Sequence, residues 1–462
     1  MLNFLKEAAA VVPSERQLNW FETERYAFVH FGVNTYTDRE WGDGTESEEI
    51  FNPEKLDCDQ WVEAIKSAGL RGLILTAKHH DGFCLWPSKY TEHSVKNSPC
   101  KKDVVKEAAE ACRRGGIKFG FYLSPWDRNS KLYGTPEYND YFCAQLEELL
   151  TGYGDIFCVW FDNACGEGEN GKKQVYDFPR YIEMIRKYQP GAVIFNDYGP
   201  DTRWCGNEAG VARHAEWSVV PSELCHYSEV QTGPGPLADA GSLEYMYNSN
   251  KEIGTMPQIL YTKGLTFTPA EIDMSIRPGW FWHENEDPHS LERLYKTYLR
   301  SCGANTCLNL NVPPNRDGLI DERDVKRLKE FGDMIEKTER RIPCTLERIG
   351  GTDTQPMYEL KCSEPVKIGA VILEEDLTKG QRVESFRILL PSGGRIDYAL
   401  YEGTCIGNKQ ICPLEDPFSI QNPLTDWLMD EKITGVRVQI TAARDTVFMK
   451  DIYITEGPEC ML

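Results

Sequence analysis

Short apolar runs alternate with amphipathic helix-like segments through the first two thirds of the chain, and this alternation restricts the fold more than any other feature. The runs cover residues 26–33, 71–77, 117–123, 155–161 and 192–195, and successive runs start 37 to 46 residues apart. That interval holds one strand, one helix and two loops. Residues 59–68 and 104–114 have helical periodicity, and glycines follow each, Gly69 after the first and Gly115 and Gly116 after the second, where a helix is expected to stop. Repeated βα units require a parallel sheet, either doubly wound or closed into a barrel.

From about residue 199 to 277 the rhythm loosens. The stretch contains Thr232-Gly-Pro-Gly-Pro236 and predicts long loops, with weak strands near 217–220 and 272–276. Helical pattern returns at 290–300, a strand follows at 305–311, and a polar helix spans about 321–339. Beyond Arg341 the pattern changes. Residues 366–373, 395–401 and 433–440 have strand character, with turn residues and no helical period between them. This predicts a small antiparallel β-sandwich. The expected organisation is therefore a (β/α) catalytic domain over 1–340 and a β-sandwich over 341–462.

Charge narrows the partners. Against 51 Lys and Arg stand 72 Asp and Glu, a net charge of −21. Such a surface repels nucleic acid and anionic membranes. The 11 Trp, 22 Tyr and 19 Phe fill a large core, and they also suit a neutral ligand with flat apolar faces, such as a sugar. The 16 cysteines are scattered singly, several inside apolar runs, and none forms a Cys-x-x-Cys pair. They read as reduced thiols rather than a disulfide framework or a zinc knuckle. The N-terminus lacks the basic start and long apolar run of a signal peptide, no stretch of about 18 apolar residues suggests a membrane span, and the expected location is the cytoplasm.

In a βα barrel the chemistry sits at the carboxyl ends of the strands. After the first run come His30-Phe-Gly32 and Glu40-Trp-Gly-Asp43, with Trp41. The second is followed by Lys78-His-His-Asp-Gly-Phe83, the third by Ser124-Pro-Trp-Asp-Arg128, with Trp126, and the fourth by Asp162. Past the fifth lies Arg203-Trp-Cys-Gly-Asn-Glu208. His30 alone reads more readily as a satisfied core histidine than as a functional one. His79 and His80 are adjacent, and neighbours on a strand point to opposite faces, so they suit hydrogen bonding better than chelation. Neither a metal nor a cofactor is expected. Asp162 closes a buried run, which is costly unless the carboxylate is paired or used. Glu208 alone reads as a solvated loop residue. Taken together, paired carboxylates with histidines and tryptophans suit glycosidic bond cleavage, in which one carboxylate attacks the anomeric carbon and the other protonates the leaving oxygen and then activates water.

The segments Trp20-Phe21, His30-Phe-Gly32, Glu40-Trp-Gly42, Lys78-His-His-Asp-Gly-Phe83, Trp160-Phe-Asp162 and Asn309-Leu-Asn-Val-Pro-Pro-Asn-Arg-Asp-Gly318 jointly resemble the α-L-fucosidases of glycoside hydrolase family 29. The resemblance spans residues 20 to about 320. It implies a TIM barrel followed by a β-sandwich, and a retaining double displacement on terminal fucose of fucosylated oligosaccharides. Asp162 matches the family's nucleophile. Glu208, 46 residues downstream, matches the acid/base of the subfamily selective for α-1,3/1,4-linked fucose, with Glu216 and Glu223 as rivals. His30, Glu40, Trp41, His79 and His80 match fucose-binding positions, and Trp126, Arg277 and Trp280 are further candidates for the pocket. The competing readings are a broad-specificity fucosidase, a non-catalytic fucose-binding protein, which would need no nucleophile, and a metal-dependent barrel hydrolase.

Overall fold

Eight parallel strands form the sheet that the βα rhythm demands. In this computed structural model, which describes residues 2–197, 199–225, 252–260, 262–393, 397–414 and 432–457, they are β1 (Arg25–Val29), β2 (Gly72–Lys78), β3 (Lys118–Leu123), β4 (Cys158–Trp160), β5 (Val193–Phe195), β6 (Arg203–Trp204), β7 (Ala270–Ser275) and β8 (Cys307–Asn311). Their order across the sheet is β5-β4-β3-β2-β1-β8-β7-β6. A parallel bridge from Phe195 to Thr202 joins the two ends of that order, so the sheet closes as a (β/α)8 barrel. Every residue of β1, β2, β4, β5, β7 and β8 is buried, as strands covered on both faces must be.

Helices Cys58–Ser67, Val104–Gly115, Glu137–Gly152, Phe178–Tyr188, Leu291–Leu299 and Glu322–Glu339 cover the outside. Their ends follow from local chemistry. The Asp57 carboxylate accepts from the N–H groups of Asp59 and Gln60, and Asp103 caps the next helix through Lys106 N–H. Each side chain satisfies donors that have no partner inside the helix.

The sixth strand departs from the sequence reading. Residues 217–220 are expected to hold a weak strand, and Val219–Pro221 forms one, paired antiparallel with Leu265–Phe267 outside the barrel. The barrel strand is instead Arg203–Trp204. A two-residue strand has no period to read. What places it is long-range: the Arg203 N–H donates to Pro269 O, and the buried guanidinium donates to Glu216 at 2.5 Å and to Thr268 O at 3.1 Å. The Gly-Pro run at 232–236 lies outside the described residues.

The C-terminal strands are β9 (Thr345–Gly351), β10 (Pro356–Val366), β11 (Ala370–Glu375), β12 (Val383–Leu390), β13 (Tyr398–Gly403), β14 (Gln410–Pro413), β15 (Ile433–Ala443) and β16 (Met449–Thr455). They form a five-stranded sheet, β9-β10-β15-β12-β13, and a three-stranded sheet, β14-β11-β16, with antiparallel pairing throughout. Val371, Leu373, Ile388, Val436, Val438, Ile440, Ile452 and Ile454 meet between them, each at an alternate position of its strand. Of the run expected at 395–401, residues 395 and 396 fall outside the described ones. No two of the described cysteines are bridged, and no helix among the described residues is long and apolar enough to cross a membrane.

A buried charge network fastens these strands to the barrel. Lys409, just before β14, donates to Glu24 and, at 3.1 Å, to Glu339; Arg25 pairs with the same two carboxylates, and Tyr298 donates to Glu339 at 2.8 Å. Breaking a buried ion pair from one side leaves uncompensated charge. Lys409→Ala is therefore expected to lower the unfolding free energy by about 3 kcal/mol. The measurement is the urea midpoint at unchanged slope; a midpoint equal to the wild type's would show that the network adds no net stability.

Candidate active site

The carboxyl ends of the strands converge on an open pocket. Its apolar walls are Phe28, Trp41, Tyr122, Trp160 and Trp280, and its polar lining is His30, His79, His80, Glu40, Asp162, Glu208 and Asp273. Among the described residues, no lysine or arginine lines it. Carboxylates without a cation disfavour an anionic ligand, while aromatic faces and imidazoles suit a neutral polyhydroxylated ring.

The histidines owe their places to where β1 and β2 stop. β2 ends at Lys78, whose buried ammonium donates to Asp127 at 3.0 Å and to Gln145 at 2.9 Å. Strand alternation ends there too, so His79 and His80 both turn into the pocket, with ring centroids 4.1 Å apart. Gly82 completes the bend at φ +83, and a Cβ there would sit 2.4 Å from Asp127 Oδ1. Only glycine fits that position, which explains the Asp-Gly step of the motif.

Burial pushes the pKa of all three imidazoles down, that of His30 to about 4, so each is neutral and has one N–H. The tautomers follow from the partners. Asn311 donates through Nδ2 to Ser275 Oγ and Trp280 O, so its Oδ1, 2.8 Å from His30 Nδ1, accepts. His30 thus presents an acceptor Nε2. Ser124 donates to Trp126 O and accepts from His80 Nδ1 at 2.7 Å, which leaves His80 Nε2 as an acceptor 3.8 Å from Asp162 Oδ2. Asn34 Nδ2 lies 3.3 Å from His79 Nδ1 and donates to it, so His79 presents an N–H. The cluster offers one donor and two acceptors to a set of hydroxyls.

Asp162 follows β4. Its Oδ2 accepts from Tyr122 OH at 3.2 Å and its Oδ1 from Ala164 N–H at 2.7 Å, which hold the carboxylate at the pocket wall. Glu208 sits at the rim on the loop after β6. Partial burial pushes its pKa up and the charges of Asp162 and Glu40 act the same way, against a smaller opposing interaction with Trp280. A carboxyl whose pKa is raised beside one fixed by hydrogen-bond donors is the arrangement in which one acts as acid and the other as nucleophile.

Glu40 accepts from the backbone N–H groups of Trp280 at 2.9 Å and Phe281 at 3.3 Å, tying the loop after β1 to the loop after β7. Trp41 is 58% exposed, with its ring plane nearly perpendicular to those of His80 and Trp126. Trp126 does not line the pocket; it packs behind Trp41 and His80, under the Arg128 guanidinium. Arg277, expected among the pocket members, is a correction: it is fully buried away from the pocket, with Nε donating to Asp324 at 2.8 Å and the guanidinium beside Asp321 and over the Trp282 ring. The rival carboxylates are also elsewhere. Glu216 is buried between Arg203 and Arg213, and Glu223 accepts from Thr262 and Lys263 N–H.

Sequence reading missed Tyr122, Asn311 and Asp273. Asp273 accepts from the Trp204 indole at 2.8 Å, and burial with the nearby Glu271, Glu208 and Asp197 raises its pKa strongly. Glu271, two residues earlier on the same face of β7, accepts from Tyr26, Trp160 and Asn309, and burial pushes it up to about 7. Carboxylates at alternate positions of a buried strand were the available signal.

Comparison with known proteins places this geometry. The family model described as alpha-L-fucosidase matches residues 8–339. The chain is 38% identical over 434 residues to alpha-L-fucosidase 1 of Arabidopsis thaliana, covering 87% of this chain and 81% of that protein. Among solved structures, a glycoside hydrolase 29 family member from an unknown rumen bacterium superposes with a TM-score of 0.81 at 36% identity, over 97% of this chain and 78% of that one. A Ruminococcus gnavus GH29 fucosidase in complex with fucose superposes with a TM-score of 0.80 at 27% identity, over 97% and 96% of the two chains.

Proposed function

Because the chain belongs to the α-L-fucosidases of glycoside hydrolase family 29, we propose that it releases terminal α-L-fucose from α-1,3/1,4-branched glycans by a retaining double displacement. The observation that carries this reading is the pairing, in one pocket, of Asp162 held by Tyr122 and Ala164 with the rim carboxyl Glu208. Asp162 attacks the anomeric carbon while Glu208 gives its proton to the leaving oxygen; Glu208 then takes a proton from the water that cleaves the fucosyl-enzyme. His30, His79 and His80 sort the ring hydroxyls into donors and acceptors, Glu40 accepts a hydrogen bond from a further hydroxyl, and Trp280 and Trp160 pack on the ring. The exposed Trp41 and the rim position of Glu208 leave the leaving-group side open to a second sugar. Contacts to that branch spend binding energy at a distance from the reacting bond.

The test is fucose release from a Lewis-type trisaccharide, 2'-fucosyllactose and an aryl fucoside side by side. The branched substrate is expected to win in kcat/KM by about 10-fold or more, the usual worth of a few specific contacts in a transition state. Equal or faster turnover of the aryl fucoside would assign broad specificity, and fucose binding without release from any of the three would leave a sugar-binding protein.

A further inference from the structure

His283, on the loop after β7, stands between two carboxylates. Its Nε2 lies 2.7 Å from Glu40 Oε1 and its Nδ1 lies 2.8 Å from Asp38 Oδ1. A neutral imidazole has one N–H and can donate to only one of them; serving two acceptor-only carboxylates takes both ring nitrogens protonated. The backbone is shaped to the same contact. Asp38 caps the short helix Val33–Thr37 in the left-handed region, at φ 59, which a residue other than glycine adopts at a cost. At Gly279 a Cβ would sit 2.7 Å from Glu40 Oε1 and 2.8 Å from His283 Cδ2, so glycine is what lets the loop close over the pair. Glu40 in turn holds the N–H groups of Trp280 and Phe281.

We propose that His283, held by Asp38, is a positioning residue whose imidazolium clamps Glu40 and the Trp280 loop into the geometry that grips the sugar. The proposal rests on the reading above that Glu40 and Trp280 contact fucose. The charged groups facing the clamp are Asp38 and Glu40 from the loop after β1, Glu286 from its own loop, and Arg316, which faces Asp38 from the loop after β8. Burial works against the charge on His283, but its hydrogen bonds to Asp38 and Glu40 and the fields of Glu40 and Glu286 outweigh it and raise the pKa above that of an ordinary histidine. Below that pKa the clamp is complete. As pH rises through it, one N–H is left for two carboxylates, so KM should climb while kcat, set at Asp162 and Glu208, changes little.

Three variants, His283→Ala, Asp38→Asn and Glu40→Gln, test this in the full-length protein, with KM and kcat for the Lewis-type trisaccharide followed across pH. His283→Ala is expected to raise KM about 10-fold, the worth of one charge-assisted hydrogen bond, with kcat within roughly 3-fold of wild type, and to remove the alkaline rise. Asp38→Asn is the gentler variant, since the Asp38 side chain is 59% exposed. It should move the onset of that rise to lower pH, and the His283 titration followed by NMR without substrate should move with it. A His283 titration that Asp38→Asn leaves in place overturns the proposal, as does a rise of KM through the same pH range that persists in His283→Ala; the fall of kcat/KM imposed by Glu208 is separate and remains. If Glu40→Gln raises KM and His283→Ala does not, the proposal falls and the sugar contact of Glu40 stands. If neither raises KM although the ring titration moves, the sugar contact itself fails and the proposal falls with it.

Discussion

Asp162→Ala is expected to cost activity on every substrate by on the order of 10⁴-fold or more, as loss of a covalent nucleophile does. The leaving group should not matter, because without this carboxylate no fucosyl-enzyme forms from any of them. The variant also strands two donors, the Tyr122 hydroxyl and the Ala164 N–H, at a cost to stability of about 1–3 kcal/mol if water does not reach them. Asp162→Asn separates the two effects: it keeps an oxygen for the Ala164 N–H and the volume of the side chain, yet is no nucleophile. It should fold like the wild type and be as inactive as the alanine variant. Azide offered to Asp162→Ala takes the space of the missing carboxylate, with Glu208 still able to protonate the leaving group. Its product should be the fucosyl azide of inverted, β configuration. A 2-deoxy-2-fluoro fucosyl fluoride should label the wild type on the peptide bearing Asp162. A label on another carboxylate would move the nucleophile there.

How much of this was visible in the sequence depends on the range of the forces involved. Strands β1 to β5 declare themselves by apolar runs at a regular interval, since each is buried on one face by helices close in the chain and on the other by the barrel interior. β6 does not, because two residues have no period and their place is set by Pro269 and Glu216, met only after folding. The pocket follows the same division. His30, His79, His80 and Asp162 come directly after strand ends, so barrel geometry predicts their convergence. Tyr122, Asp273 and Asn311 lie within strands, where a polar residue could as well be a satisfied core group. Arg277 misled for the opposite reason. It stands beside Trp280 in sequence, but its partner Asp324 is on the last barrel helix, and a buried guanidinium goes where its carboxylate is. His283 gives no sign at all until the loops carrying Asp38 and Glu40 fold against it.

Glu208→Ala should behave differently from Asp162→Ala, and the difference identifies the acid. Natural glycans have poor leaving groups, so their turnover is expected to fall by roughly 10²–10⁴-fold, the usual worth of general acid–base catalysis. A fucosyl fluoride leaves without a proton; its fucosyl-enzyme still forms and then waits for an activated water. Azide needs no general base and should speed that breakdown. It attacks from the face that water normally uses, so the product should be the α azide, opposite in configuration to the one expected from Asp162→Ala. The pH dependence supplies a second signature. Glu208 must be protonated for the first step, so kcat/KM on a natural glycan falls as pH rises through the pKa of Glu208 in the free enzyme. Partial burial and the fields of Asp162 and Glu40 raise that pKa, which extends the active range upward from where an ordinary glutamate would end it. The fluoride needs no proton in that step, so its kcat/KM should lack this limb in the wild type and in Glu208→Ala alike. Near-normal activity of Glu208→Ala on glycans, with collapse in Glu216→Ala or Glu223→Ala, would transfer the role, even though Glu216 is locked between two arginines and Glu223 is held at Thr262. The nucleophile would be unaffected by that outcome, since its azide product is read in a separate variant.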